Sequence, residues 1–207
     1  LVDSEAITHS VLCAMLNEAG WVLAPDECMR LFIGKTVRSE AARIQAHTGK
    51  PLTDAWMAEF YQRRNVRLEA ELQAIDGALD AVAAVHARLA GRIACASGAD
   101  RYKVEMQLEK VGLAPYFAGR VFSGHEMPAT KPAPDVYLAA AAALGVPPQR
   151  CLVVEDTVTG VTAGVAAGAT VVGFSPSAVG HGSPEALRGA GAVHVMVHLS
   201  ELPALLG

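Results

Sequence analysis

The sequence predicts an α/β protein: a doubly wound parallel, Rossmann-like sheet, preceded by an all-helical segment. Three observations predict it. Residues 5–70 carry apolar positions at helical spacing and no convincing strand. After Asp76, short apolar runs alternate with helical stretches, the pattern of parallel strands joined by crossover helices. Ser97, Glu155 and Asp156 stand where apolar runs end, and in such sheets ligands bind at the carboxyl ends of the strands.

The elements follow in order. EAITHSVLCAMLNEAG places Ile7, Val11, Ala14 and Met15 on one helical face and stops at Gly20. VRSEAARIQAHTG reads as a helix ending at Gly49. TDAWMAEFYQRRNVRLEAEL is a long helix with Thr53 or Asp54 as N-cap. RIACAS is a strand, and DRYKVEMQLEKVG a helix ending at Gly112. GRVFSG is a strand, and APDVYLAAAAALG a helix that Asp135 starts. CLVVED, ATVVGFS and AVHVMV are strands, with TGVTAGVAAG and SPEALRGAG as the helices between them. LSELPALL closes the chain.

Composition bounds the function. The 207 residues are 52% hydrophobic, enough for a sizeable core. Net charge is -4, and apart from Arg63, Arg64 and Arg67 the basic residues are scattered. That argues against a nucleic-acid binder. Cys13, Cys28, Cys95 and Cys151 form no CxxC pair, so they read as buried reduced thiols rather than zinc ligands. No signal peptide is visible, and the expected location is cytoplasmic. From Thr157 to Pro184 there is no Asp, Glu, Lys or Arg, and Gly160, Gly164 and Gly168 recur every four residues. The stretch is too rich in Gly, Thr, Ser and Pro for a membrane span. It reads as a helix with a flat face laid on a sheet.

Three positions carry candidate chemistry, each with a plainer alternative. Glu155 and Asp156 are adjacent hard-oxygen ligands suited to Mg2+; alternatively Asp156 or Thr157 caps the next helix and Glu155 is solvated. Ser97 can bind a phosphate oxygen above a helix N-terminus; alternatively it is that helix's N-cap. Lys131, in the Pro-stiffened TKPAPD, supplies a point charge to a phosphoryl group or is a surface lysine.

Taken together, Ser97 after a strand, then KPxPxxY, then VVEDTxxGxxAGxAAG resembles the haloacid dehalogenase superfamily of phosphotransferases, in particular the subgroup of phosphoglycolate phosphatase, beta-phosphoglucomutase and sugar-phosphate phosphatases. LVDSE resembles the stretch just after that family's first motif. The resemblance implies a helical cap domain over residues 5–72 inserted into a core of residues 1–4 and 73–207. It implies that Ser97 binds the phosphoryl group, that Lys131 neutralises nucleophile and phosphate, and that Glu155 and Asp156 hold Mg2+. Gly98, where many relatives have Asn, is a candidate backbone donor to substrate. In the cap, LFIGKTVRSE matches the loop that reaches toward substrate, so Lys35 and Arg38 are candidate substrate-binding cations or solvated helix charges. Thr8 and His9 are weaker candidates.

The family's nucleophilic aspartate and its acid–base partner precede Leu1 and are not among these residues; Asp3 is no substitute. The expectation is an upstream segment of the form apolar run, Asp-x-Asp-Gly. Without its strand the sheet should be split and its edges open. The implied activity is Mg2+-dependent hydrolysis of a small organic phosphomonoester through an aspartyl-phosphate. A mutase of the same subgroup, or a non-catalytic phospho-ligand binder, is the alternative. The expected partner is a small phosphorylated metabolite, with no nucleic acid or membrane, and the chain is expected to be monomeric.

Overall fold

A computed structural model of the chain describes residues 1–32, 35–176 and 182–206. The chain divides into two compact units, one of Val2–Gln73 and one of Leu1 with Ala74–Gly207.

The first unit is helical. It contains α1 (Glu5–Glu18), α2 (Pro25–Phe32), α3 (Ala41–Thr48) and α4 (Asp54–Glu71). Helix α1 buries Val11, Leu12, Met15 and Leu16, an i, i+1, i+4, i+5 face, in a cluster with Cys28, Phe32, Met57 and Phe60. Asn17 pins the turn after α1: its Oδ1 accepts from the Leu23 N–H (2.7 Å) and its Nδ2 donates to the Leu23 carbonyl (3.3 Å). Thr53 caps α4, its hydroxyl accepting from the Trp56 N–H at 3.1 Å, as the sequence suggests. Helix α2 is an addition to the sequence reading.

The second unit is α/β. It continues with α5 (Ala78–Arg88), β1 (Cys95–Ser97), α6 (Arg101–Lys110), β2 (Val121–Ser123), α7 (Asp135–Ala143), β3 (Leu152–Glu155), α8 (Val158–Ala166), β4 (Thr170–Phe174), α9 (Pro184–Gly189) and β5 (His194–Met196). A 3-10 segment, Leu199–Leu206, follows. Helix α5 is also absent from the sequence reading. The strands are shorter than their apolar runs, and Cys151 lies just before β3 rather than within it.

Among the described residues all strand pairs are parallel, but the strands form two sheets, β1-β2 and β3-β4-β5. The alternation of side chains across each strand shows both faces covered. Val171 of β4 packs with Val153, Val161, Val195 and Leu187 on one face. Its neighbour Val172, with Phe174 and Met196, packs on the other against Ala78, Ala81 and Leu199. Likewise Ala96 and Phe122 join the Val153 cluster beneath α7 and α8, while Cys95 and Val121 face Val104, Leu108 and Phe117. One apolar layer thus runs under both sheets.

The split leaves two edges. The Cys95 N–H donates to Arg120, so Cys95 turns its backbone polar groups toward β2 and Ala96 turns its own away. The Cys151 carbonyl accepts from the Thr170 N–H, which by the same alternation turns Leu152 and Val154 away from β4. Val154 is left exposed.

Candidate active site

The site is built at the carboxyl ends of β1 and β3. Strand β3 delivers Glu155 in an inward position, buried, while the next residue, Asp156, is exposed. Helix α8 begins two residues further on, with Thr157 as its N-cap: the hydroxyl accepts from the Gly160 N–H at 3.0 Å. The same hydroxyl donates to Glu155 Oε2 (3.2 Å), and the Asp156 N–H lies 3.3 Å from that oxygen. Capping and carboxylate-holding therefore coexist, in one threonine.

The other carboxylate oxygen, Oε1, accepts from both Lys131 Nζ and the Tyr137 hydroxyl. Lys131 comes from the loop after β2, across a cis peptide bond to Pro132. Its ammonium also donates to the Ala96 carbonyl at 3.3 Å, the β1 carbonyl turned away from β2. It lies 4.7 Å from the centre of the Tyr137 ring. The Lys131 and Glu155 side chains are only 13% and 9% exposed, so this is an interior ion pair rather than a surface one. Burial first, and then the Glu155 carboxylate, hold the Tyr137 phenol well above its ordinary value. Tyr137 is therefore a neutral donor.

Ser97 ends β1, one residue after the carbonyl that Lys131 binds. Its hydroxyl accepts from the Ala99 N–H at 3.2 Å. It is not the N-cap of α6; Asp100 is, accepting from the Lys103 N–H at 2.9 Å. Gly98 is exposed at the tip of this turn. Ser123, in register with Ser97, is fully buried and donates to the Ala99 carbonyl at 2.7 Å, bracing the same turn.

Lys35 and Arg38 belong to the helical unit. Lys35 Nζ pairs with Glu40 (3.4 Å) and donates to the Leu31 carbonyl (3.0 Å). Arg38 pairs with Asp54 at 2.7 Å on an exposed surface. Both carry local counter-charges, as helix-surface charges do. Ile33 and Gly34 of the same loop lie outside the described residues. Thr8 and His9 bond to the backbone of their own helix, at Ser4 and Glu5.

Sequence reasoning missed Tyr137 and Gly160 as parts of this site. A Cβ on Gly160 would lie 2.1 Å from Glu155 Cδ, so only glycine lets the helix approach the carboxylate. A Cβ on Gly164, one turn on, would lie 2.8 Å from Val171 and 3.3 Å from Val153 of the sheet. Only the latter contact is the flat helix face that the four-residue glycine spacing suggests.

A cation fits this donor set in part. No group of three or more His, Cys, Asp or Glu converges among the described residues. Mg2+ is commonly held by one or two carboxylates with waters and phosphate oxygens, and Glu155 with Asp156 meets that lower requirement. Asp156 is the exposed residue of the two, whereas Glu155 is buried in an ion pair with Lys131.

A family model for haloacid dehalogenase-like hydrolases matches residues 5–168. The chain belongs to that family. It is 30% identical over 210 residues to 6-phosphogluconate phosphatase of Escherichia coli K12, covering 99% of this chain and 89% of the relative. A conserved haloacid dehalogenase-like protein of unknown function from Agrobacterium tumefaciens C58 is 34% identical, with a TM-score of 0.80, over 100% of this chain and 92% of that one. A family hydrolase from Deinococcus radiodurans R1, solved with bound phosphate and sodium, is 30% identical with a TM-score of 0.77, over 100% and 90%. The α/β architecture and the hydrolase class of this haloacid dehalogenase-like chain are thereby established. No helix among its described residues is long and apolar enough to cross a membrane.

Proposed function

We propose that this hydrolase is a Mg2+-dependent phosphatase of a small organic phosphomonoester, a sugar phosphate or phosphorylated sugar acid. The observation that carries the reading is the joining of Lys131 and Glu155 beside Ser97, at the carboxyl ends of β1 and β3. An ammonium, two adjacent carboxylates and a hydroxyl at one sheet rim suit the transfer of a phosphoryl group, which needs positioning and charge neutralisation above all. The Escherichia coli relative, a 6-phosphogluconate phosphatase, supports the substrate class. The bound phosphate of the Deinococcus radiodurans hydrolase supports the phosphoryl site.

Ser97 donates its hydroxyl proton to a phosphoryl oxygen, and Lys131 places its positive charge beside it. Asp156 and Glu155 would hold Mg2+, which when bound supplies further positive charge to the phosphoryl oxygens and orients them. On this reading the nucleophile is the aspartate of the family's first motif, which is not among these residues. Its oxygen attacks phosphorus, the ester P–O bond breaks, and the alcohol leaves with a proton from that motif's acid–base aspartate, which regains one from the water that follows. Water then cleaves the acyl phosphate, releasing inorganic phosphate and restoring the carboxylate. Lys35 and Arg38 would exchange their local carboxylates for an anionic substrate group. A small phosphorylated metabolite acted on by a monomeric cytoplasmic enzyme completes the reading.

The test is Asp156→Asn in the full-length protein. Loss of Mg2+-dependent phosphate release, with the fold retained, supports the assignment; near-normal turnover overturns it. Interconversion of hexose phosphates without phosphate release would instead identify a mutase.

A further inference from the structure

Tyr137 touches both members of the Lys131–Glu155 ion pair. Its hydroxyl donates to Glu155 Oε1, and its ring face lies 4.7 Å from the Lys131 ammonium. It is 8% exposed and sits in the first turn of α7, a helix packed on β1 and β2. A tyrosine ring moves on two torsions, whereas the lysine reaches Glu155 on a flexible four-carbon stem. The two donors on Oε1 therefore differ: one is fixed by packing, the other is exchangeable.

We infer that Tyr137 is a positioning residue that aims Glu155 with its hydroxyl and seats Lys131 with its ring. The inference rests on the reading of Glu155 as a metal ligand and Lys131 as a phosphoryl-binding cation. Glu155 Oε1 already accepts from Lys131 and Tyr137, so Lys131 would have to leave that oxygen for Glu155 to help hold a cation. Tyr137 and Thr157 keep the carboxylate oriented during that exchange, one on each oxygen. A Lys131 ammonium parted from Glu155 would keep its cation–π contact with the ring and be held there for phosphate.

The two halves separate by mutation. Tyr137→Phe removes the hydroxyl and keeps the ring; Tyr137→Leu removes both, and Tyr137→Met does so while better filling the volume. The readouts are Mn2+ binding, followed by electron paramagnetic resonance of the free ion, and inorganic phosphate binding by calorimetry, both independent of turnover. Groups that orient metal ligands typically matter about 10–100-fold in metal affinity. Tyr137→Phe is expected to weaken Mn2+ by about tenfold and to leave phosphate affinity near wild type. Tyr137→Leu, or Tyr137→Met should the leucine variant not fold, is expected to weaken both.

Glu155→Gln distinguishes the failures. If it abolishes Mn2+ binding while Tyr137→Phe binds like wild type, the role of the hydroxyl is overturned and the metal assignment stands. If Glu155→Gln also binds Mn2+ like wild type, the metal assignment fails and the inference with it. Unchanged phosphate affinity in the leucine and methionine variants overturns the role of the ring.

Discussion

Replacing Gly160 with alanine should destabilise this protein, although the same change in most helices does the opposite. Gly160 is buried in the first turn of α8. In an ordinary helix interior, alanine is more favourable than glycine by about 0.5–1 kcal/mol. Here the new Cβ would lie 2.1 Å from both Cδ and Oε2 of Glu155 and 2.4 Å from Oε1. These are overlaps, so the carboxylate or the helix has to move. Overpacking of this kind costs about 1–3 kcal/mol. Moving Glu155 also parts it from Lys131, Tyr137 and Thr157, and breaking a buried ion pair costs about 3–5 kcal/mol when nothing replaces it. Partial relaxation keeps the total below that sum, and the helix propensity returns up to about 1 kcal/mol. The expected net loss is about 3 kcal/mol, a fall in Tm of roughly 6–12 °C for a chain of this size. Urea unfolding followed by circular dichroism measures it, with Gly189→Ala as control. Gly189 ends α9, and a Cβ there meets nothing within 4 Å. The control should be neutral or slightly stabilising. If Gly160→Ala is as stable as wild type, the close approach of α8 to Glu155 is wrong.

Other consequences can be checked alongside. Met196→Ala removes a fully buried side chain shared by β5 and the 3-10 segment and should cost about 2–5 kcal/mol in urea unfolding. Arg38→Ala should leave the thermal unfolding midpoint essentially unchanged, because its partner Asp54 is exposed; a clear drop contradicts the surface assignment. Burial raises the Cys95 thiol from 9.0 to about 11. Its contribution is therefore fully present below pH 9 and is lost as pH rises from 9 toward 11. The unfolded state then binds fewer protons than the folded state, a loss of up to about 1.4 kcal/mol per pH unit. Cys95→Ala should flatten that alkaline fall in a pH series of unfolding curves. Ser97→Ala should keep the fold and lower kcat/KM for phosphate release.

Much of the fold is legible because its punctuation is local. Thr53 marks the start of α4 by its side chain alone, and Asp135 marks α7. Parallel strands declare themselves as apolar runs ending in polar residues, which is how Ser97 and Glu155 stand out before any coordinates. Two helices are missed for different reasons. Helix α2 is only two turns long, though Pro25, Asp26 and Glu27 form a good first turn. Helix α5 shows Ala78, Ala81, Val82 and Val85 at i, i+3, i+4, i+7, but two of these four are alanines that blend into their surroundings. The site is legible only in part. Spacing can say that Glu155 and Asp156 are adjacent. It cannot say that Glu155 is buried against Lys131 while Asp156 is exposed, because that depends on the pleat of β3 and the approach of α8. Tyr137 is silent for the same reason: an aromatic residue at helical spacing reads as core until its hydroxyl is seen to have a charged partner. The division of the sheet is anticipated, whereas the use of Lys131 to meet the Ala96 carbonyl at the edge of β1 is not.

The central claim is tested most directly by phosphate release from the full-length protein. Purified enzyme, stripped with EDTA, is given a panel of sugar phosphates and phosphorylated sugar acids with and without added Mg2+, and inorganic phosphate is measured. The account predicts release that appears only when Mg2+ is restored and that Asp156→Asn abolishes. Equal release without a divalent cation, or none from any monoester in the panel, contradicts it.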